Sequence, residues 1–253
     1  MQRFPEAEHL ATEILKASRT DTAALTILAR ALLAQNRPAE AIPPLEKAAR
    51  RNQDPAIEML LGAALGASGR RTDAIELLRR TTARRPPFIP AFQELAGQLS
   101  QAGQGDEGIS VIQGALALVP ENIDLQLDLA RLKIERNEGR DILMKLQDAA
   151  PGRVDILTEL ARVLLLTGEY ALAADTYRRA LGLRPDDALA RADLAATLLE
   201  MGDRDAGEAN LRSAFRGRPQ MFGRATYALV QSSHGRFFFS QSAFTKFLEG
   251  GTG

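Results

Sequence analysis

The strongest constraint on how this chain can fold is a repeat with a period of about 34 residues. A leucine followed at once by a small residue recurs six times, and seven positions after the small residue comes a Gly or an Asn. The six leucines are Leu28, Leu61, Leu95, Leu129, Leu160 and Leu194, so the successive spacings along the chain are 33, 34, 34, 31 and 34. A period of this length predicts a row of similar small units, each burying its apolar face against its neighbours.

Each period has the pattern of two helices joined by a tight turn. Between residues 155 and 166 the apolar side chains follow helical spacing rather than strand alternation. Gly168 then ends the helix, because glycine tolerates the left-handed conformation common at helix C-termini. A second apolar stripe runs from Ala173 to Leu181, and Pro185 ends it. The turn position is held elsewhere by Asn36, Gly69, Gly103, Asn137 and Gly202. The small residue after each leucine is expected to let the second helix lie close against the first.

These residues resemble the tetratricopeptide repeat, a helix–turn–helix unit of about 34 residues. With Val154 as position one, the residues that fall on the family pattern are Leu157, Leu160, Ala161, Gly168, Ala173, Tyr177, Ala180 and Pro185. With Ala188 as position one, they are Leu194, Ala195, Gly202, Gly207, Leu211, Ala214 and Pro219. The resemblance implies an all-α, right-handed superhelical solenoid of antiparallel helix pairs. We therefore expect one solenoid domain over residues 1–253, with six repeats over 22–220 that start near residues 22, 55, 89, 123, 154 and 188.

The two ends and two interior sites depart from the regular pattern. Residues 1–21 resemble the second helix of a unit whose first helix is absent, which fits either a native capping helix or a cut from a longer solenoid. Residues 221–253 are expected to form a degenerate last pair or cap, with Ser240 as an N-cap, followed by a flexible tail.

Pro43 and Pro44 fall inside a second helix and predict a kink or a late start. The fourth step is shorter than the others by most of a helical turn, which predicts a changed stacking angle around residues 137–141.

Composition and motifs argue against catalysis. The sequence includes no cysteine and two histidines, His9 and His234, which lie near opposite ends of the repeat array. A thiol nucleophile and a thiolate zinc site are therefore excluded, and no phosphate-binding loop, dinucleotide fingerprint or esterase motif is present. We expect no catalytic residue, no cofactor and no metal. Asp186 and Asp187 fall in a turn between repeats, where helix capping is the expected role.

Charge and hydropathy favour a cytoplasmic protein. The 32 basic and 32 acidic side chains cancel, so there is no global attraction to nucleic acid or to an anionic membrane. Apolar stretches are far shorter than the roughly 20 residues that cross a bilayer. The opening MQRFPEAEHL has acids and a proline where a signal peptide has an apolar core. A periplasmic protein whose leader had been removed would have the same features.

The family resemblance implies that an inner groove is lined by positions two, five, nine, twelve and thirteen of each first helix. The candidate peptide-binding residues at these positions are Thr26, Arg30, Met59, Gln93, Gln101, Leu127, Arg131, Glu135, Thr158, Arg162, Leu165 and Glu200. Arg30, Arg131 and Arg162 share position nine and suit an acidic peptide, since guanidinium binds carboxylates bidentately. The competing interpretation is that they pair with acids on their own helices, Arg131 with Asp128 or Glu135 and Arg162 with Glu159.

Two further surfaces remain as candidates. The stretch that contains Arg70, Arg71, Arg79, Arg80, Arg84 and Arg85 could be a basic patch for nucleic acid or an acidic partner, although a solvated outer face is the favoured interpretation. Phe237, Phe238 and Phe239 either seal the end of the core or form an apolar patch that docks a partner or a second copy.

The predicted function is a non-catalytic scaffold that binds a peptide or protein in its concave groove. The alternative is a regulatory or substrate-positioning arm of a larger transferase- or oxygenase-like enzyme. Homo-oligomers through the terminal repeats are an open expectation, and nucleic acid and membrane are not expected partners.

Overall fold

The computed structural model describes residues 3–18, 20–134, 138–235 and 240–250. Within these ranges the chain is all-α, with fifteen α-helices, a short 3-10 helix at Pro219–Met221 and no strand. The chain divides into two compact units, Met1–Leu132 and Lys133–Gly253. The fold class predicted from the sequence is confirmed at the level of stacked helix pairs, and the extent of a single solenoid domain stays a prediction.

The helices alternate between first and second members of each pair. In the first unit they are α1 (Phe4–Ala17), α2 (Thr22–Ala34), α3 (Pro38–Asn52), α4 (Pro55–Ala67), α5 (Arg71–Thr82), α6 (Ile89–Gln101), α7 (Gly105–Leu116) and α8 (Ile123–Lys133). In the second unit they are α9 (Gly139–Ala149), α10 (Val154–Leu166), α11 (Tyr170–Leu183), α12 (Ala188–Glu200), α13 (Arg204–Phe215), α14 (Phe222–Gln231) and α15 (Gln241–Leu248).

The turn inside each pair has one repeated backbone geometry. Gly69, Gly103, Gly168 and Gly202 have φ between +76° and +87°, and Asn36 has φ +58°. The residue after each of them donates its backbone N–H to a carbonyl five positions earlier, for example Arg70 to Leu65 at 2.8 Å. This bond closes the first helix and turns the chain into the second. The predicted turn residues are confirmed, except that Asn137 lies outside the described residues.

Small residues permit close packing within each pair. Ala29, Ala96, Ala130, Ala161 and Ala195 are all at most 2% exposed. In the second repeat the small residue is Gly62, and a Cβ placed there would lie 2.7 Å from Cγ of Leu78 in the partner helix. Real Cβ atoms do not approach other carbons this closely. The predicted purpose of these small residues is therefore confirmed.

Helix starts are set by acidic caps at the junctions between repeats. The side chains of Asp21, Asp54 and Asp187 accept backbone N–H bonds at the starts of α2, α4 and α12. The capping role expected in the turn at Asp186 and Asp187 is thus confirmed for Asp187, which accepts from Ala190 at 3.0 Å.

The interior prolines do not delay the start of α3. The helix begins at Pro38 and continues through Pro43 and Pro44 to Asn52. The predicted late start is therefore wrong. Pro38 is tolerated in the first turn because a backbone N–H at that position would have no partner within the helix.

The last helices extend the core of the second unit. Ser240 caps α15 by accepting from the Ala243 N–H at 3.2 Å, as the sequence predicted. Phe244, Phe247 and Leu248 of α15 join one apolar cluster with Leu211 of α13 and Leu229 of α14. This cluster gives α14 a fixed position beside α12.

Candidate protein-binding groove

A cavity of about 420 Å³ opens on the first helices of the second unit. It is lined by residues of α10, α12 and α14 and by two tyrosines of α11. Three predicted groove residues meet there, Arg162 and Leu165 of α10 and Glu200 of α12. Thr158, another predicted residue of this unit, does not line the cavity. Its hydroxyl donates to the Val154 carbonyl oxygen at 3.0 Å.

The walls of this cavity are apolar and accessible. Leu166 and Tyr227 each have 69% of their surface exposed, although both are large hydrophobic side chains. Ala192, Ala196 and Ala228 line the cavity between them. Exposed apolar side chains around a concavity of this size are typical of a site that takes up an apolar side chain of a ligand.

The charged groups of the cavity are already paired. Asp193 of α12 accepts from the Arg224 guanidinium of α14, with Nε 3.0 Å from its Oδ1. Arg162 donates to Glu159 at 2.9 Å on its own helix. Glu200 accepts from the Ser233 hydroxyl at 2.8 Å. The charged side chains of the groove are therefore already engaged within the protein, and they lie among apolar walls.

Burial shifts the proton affinities of two groups on the cavity wall. Desolvation raises the pKa of Asp193, and the ion pair with Arg224 opposes that rise. Desolvation, and then the nearby Asp193 charge, raises the pKa of the Tyr177 hydroxyl. Tyr177 is 0% exposed, and its hydroxyl has no hydrogen-bond partner among the described residues. Asp193 and the Tyr177 hydroxyl are thus held in partly desolvated positions on the cavity wall.

The predicted groove residues of the first unit do not form one comparable site. Gln93 donates to Asp128 of α8 at 2.5 Å, and Gln101 accepts from Arg71 at 2.8 Å. Met59 is half-buried and packs against the apolar core. The Thr26 hydroxyl donates to the Thr22 carbonyl oxygen at 2.8 Å. Leu127 is 2% exposed and so offers no surface to a ligand.

The three arginines at position nine have different environments. Arg131 lies 3.4 Å from Asp128, and Arg162 lies 2.9 Å from Glu159. Both pairs have the i, i+3 spacing that the competing interpretation required. Arg30 is exposed, and none of the described carboxylates lies within ion-pairing distance of it. Of the three, Arg30 is the one that the described acids leave available to a ligand.

The arginine-dense stretch is mostly engaged with its own unit. Arg70 pairs with Asp73 at 2.8 Å and Arg79 with Glu107 at 2.7 Å. Arg84 pairs with the buried Glu58 at 2.7 Å, and Glu58 also accepts from the Thr81 hydroxyl. These pairs fit the favoured interpretation, a solvated face held by ion pairs, better than a free basic patch.

Two predicted features cannot be placed. Glu135 and the run Phe237, Phe238 and Phe239 lie outside the described residues.

Within the described ranges, no cluster of His, Asp and Glu side chains could hold a metal ion. In the same ranges, no helix has the length and apolar character needed to cross a bilayer.

The groove residues that the sequence did not predict include Tyr170, Asp193, Arg224 and Tyr227. Asp193 and Tyr227 are one repeat apart and both occupy position six, which the family rule for groove positions did not include. Tyr227 and Arg224 lie in a unit too degenerate to show the leucine pattern. Continuing the period past residue 220 would have placed Tyr227 one repeat after Asp193, but the rule for groove positions would have selected neither Tyr227 nor Arg224.

Comparison with known proteins identifies the family. A tetratricopeptide-repeat model matches residues 1–64 and 32–99, and a second model of the same description matches residues 138–188. Together these matches take in more than half of the chain. The chain belongs to the tetratricopeptide-repeat family, whose repeats are protein-interaction scaffolds and typically lack catalytic activity.

One curated relative is similar over part of its length. The chain is 29% identical over 114 residues to Cellulose synthase operon protein C of Pseudomonas fluorescens (strain SBW25). The aligned stretch covers 44% of this chain and 9% of that protein. The chain therefore matches less than a tenth of the relative's length.

Solved structures share the fold at low sequence identity. The APC/C hetero-tetramer Cut9–Hcn1 matches with a TM-score of 0.67 and 16% identity, over 90% of this chain and 46% of that one. A thermophilic TPR protein of Thermus thermophilus matches with a TM-score of 0.59 and 22% identity, over 70% of this chain and 100% of that one. MamA matches with a TM-score of 0.53 and 16% identity, over 63% of this chain and 95% of that one. At these identities the likeness establishes the repeat fold.

Proposed function

We propose that this protein is an interaction scaffold that binds a segment of a partner protein in the groove over α10, α12 and α14. The observation that carries the proposal is that predicted groove residues of two successive first helices meet in one open cavity of about 420 Å³. A rigid wall of stacked helices loses little conformational entropy when it binds such a segment.

The chemistry of the cavity favours an apolar anchor residue in the ligand. Leu166 and Tyr227 are exposed, so covering them removes apolar surface from water. The neighbouring ion pairs are satisfied within the protein, and a charged ligand group would have to displace one of them. The expected ligand is therefore an extended segment or helix that places an aliphatic or aromatic side chain between Leu165, Leu166 and Tyr227.

Substituting one groove leucine tests this proposal. We expect Leu166→Asp to abolish capture of the partner, because it puts a charge into the apolar wall. A photo-crosslinking amino acid at Tyr227, used in lysate of the source organism with and without Leu166→Asp, measures the loss of crosslinked partner, and mass spectrometry identifies the crosslinked segment.

The matched control is Leu183→Asp on α11. Leu183 is 53% exposed and does not line the cavity, so the same substitution should leave crosslinking unchanged. Circular dichroism checks that both variants keep the helical content of the parent. Equal loss in both variants, or equal retention in both, would contradict groove binding at this site.

A second candidate is a repeat arm that positions substrate or regulates a larger protein. This candidate is supported by the curated relative, because the chain matches only 9% of that much longer protein. An antibody against this chain would detect a substantially larger polypeptide in host lysate if the arm proposal holds, and a band at 27.5 kDa would count against it.

Nucleic-acid binding through residues 70–85 is the third candidate. Arg71, Arg80 and Arg85 have no carboxylate partner among the described residues, although Arg71 donates to the Gln101 side chain. Retention on immobilised duplex DNA that falls steeply with added salt would favour this candidate, and no retention at low salt would eliminate it.

A further inference from the structure

A second cavity, of about 630 Å³, lies at the C-terminal end of the second unit, away from the groove. The end of α13, the turn that follows it and the end of α15 form its walls. Phe215, Pro219 and Leu248 provide apolar surface. None of its lining residues also lines the groove, so the two cavities are separate sites.

Three arginines line this cavity, and two of them have no acidic partner in the described part of the chain. Arg212 is engaged: it lies 3.5 Å from Glu208 and 5.0 Å above the ring of Phe247. For Arg216 and Arg218, none of the described carboxylates lies within ion-pairing distance. Most other arginines of this unit do pair with an acid, among them Arg140, Arg153, Arg162, Arg178 and Arg224. The lining of the cavity therefore includes two arginines that form no ion pair with a described carboxylate.

The backbone between these two arginines is fixed. Gly217 has φ +70°, and the N–H of Arg218 donates to the Phe215 carbonyl oxygen at 2.7 Å. A non-glycine residue rarely adopts this φ, so the turn depends on Gly217. Pro219 then starts the 3-10 helix. Arg216 and Arg218 thus flank one fixed turn, and both line the same cavity.

We propose that this cavity binds an acidic segment of a protein, with a carboxylate on Arg216 and Arg218 and a neighbouring apolar side chain against Phe215 and Leu248. Guanidinium groups recognise carboxylates through paired, charge-assisted hydrogen bonds. The apolar walls favour a peptide over a nucleic-acid backbone, which has no aliphatic side chain to place there. Glu249 also lines the cavity and would repel a continuous polyanion, and the chain as a whole has no net positive charge.

Fluorescence anisotropy with a defined peptide pair tests the site. The probe is a fluorescein-labelled peptide with one leucine flanked by glutamates in a Gly/Ser frame, and its counterpart has glutamine in place of each glutamate. We expect the acidic peptide to bind with a Kd that rises at least about ten-fold in the double variant Arg216→Ala/Arg218→Ala, since two charge-assisted contacts are lost. The glutamine peptide should bind the parent at least about ten-fold more weakly than the acidic one.

Two control variants check that binding occurs at this cavity. Arg80→Ala/Arg85→Ala removes two cations from the first unit and should leave the Kd unchanged. Leu166→Asp, which disrupts the groove, should also leave it unchanged, so failure of the groove proposal and failure of this one are distinguishable. Absence of saturable binding, or equal Kd values for parent and Arg216→Ala/Arg218→Ala, would overturn the proposal. So would tighter binding of duplex DNA at the same arginines, which would mark a phosphate site instead.

Discussion

At the scale of single residues, close helix contact explains why glycine occupies position eight of the second repeat. A Cβ at Gly62 would lie 2.7 Å from Cγ of Leu78, and Leu78 is fully buried and cannot move aside easily. Alanine would normally strengthen a helix by about 0.5–1 kcal/mol relative to glycine. Overpacking a core typically costs about 1–3 kcal/mol, so the steric effect should dominate here.

We therefore expect Gly62→Ala to lower the free energy of unfolding by about 1–2 kcal/mol, measured by urea denaturation. The control is Gly97→Ala on α6, where a Cβ would meet no atom within 4 Å. That variant should instead gain up to about 1 kcal/mol from helix propensity. A gain of stability in both variants would mean that α4 and α5 can separate at no cost.

At the scale of elements, a buried polar side chain of α6 packs against α4. Gly66 of α4 leaves room for the side chain of Gln98, whose amide nitrogen donates to Glu94 at 2.8 Å. The amide oxygen of Gln98 is buried and has no hydrogen-bond partner among the described residues. Burial raises the pKa of Glu94 above its usual value near 4.5, and the bond from Gln98 opposes this rise. The ionised carboxylate is therefore less favourable in the folded state than in the unfolded chain.

The sign of the resulting pH effect follows from linkage. Because the folded-state pKa of Glu94 is raised, the folded state binds more protons than the unfolded chain above pH 4.5, and stability falls as pH rises through the folded pKa. We expect Glu94→Gln to be more stable than the parent at pH 7, since its amide carries no charge and can donate to Gln98. The difference should shrink toward pH 4.5. Thermal melts across this range measure it, with Glu76→Gln on the exposed face of α5 as control. A difference independent of pH would contradict the ionisation argument.

The helix pairs could be predicted from the sequence because their determinants are local. The leucine and small-residue pattern, the turn at Gly168 and the cap at Asp187 all act within a few residues. Pairing of Arg131 and Arg162 was foreseeable for the same reason, since their partners lie one helical turn away. Arg84 pairs with Glu58, which is distant along the chain, so no local sequence pattern predicts that contact. The groove depends on Tyr227 in a degenerate unit, so only the three-dimensional arrangement reveals its apolar wall.

At the scale of the whole molecule, each compact unit contains apolar clusters of its own. One in the first unit includes Leu32, Leu45 and Leu61, and one in the second joins α12, α13, α14 and α15. The boundary falls at Leu132, close to the short step in the repeat. In repeat proteins stability is carried mainly by contacts between neighbours, so a defect is felt most strongly in adjacent helices.

A matched pair of glycine substitutions tests how far such a defect spreads. A Cβ at Gly207 of α13 would lie 2.8 Å from Cγ of Leu199, nearly the same clash as at Gly62. We expect Gly62→Ala to speed amide hydrogen exchange in α3 to α6 and to leave α10 to α13 at the parent rate, because each unit opens with its own local free energy. Gly207→Ala should give the reverse pattern. Mass spectrometry of the exchanged peptides resolves the two units. Equal acceleration throughout both units by either variant would show that the chain unfolds as one cooperative body, and the division at Leu132 would then have no energetic meaning.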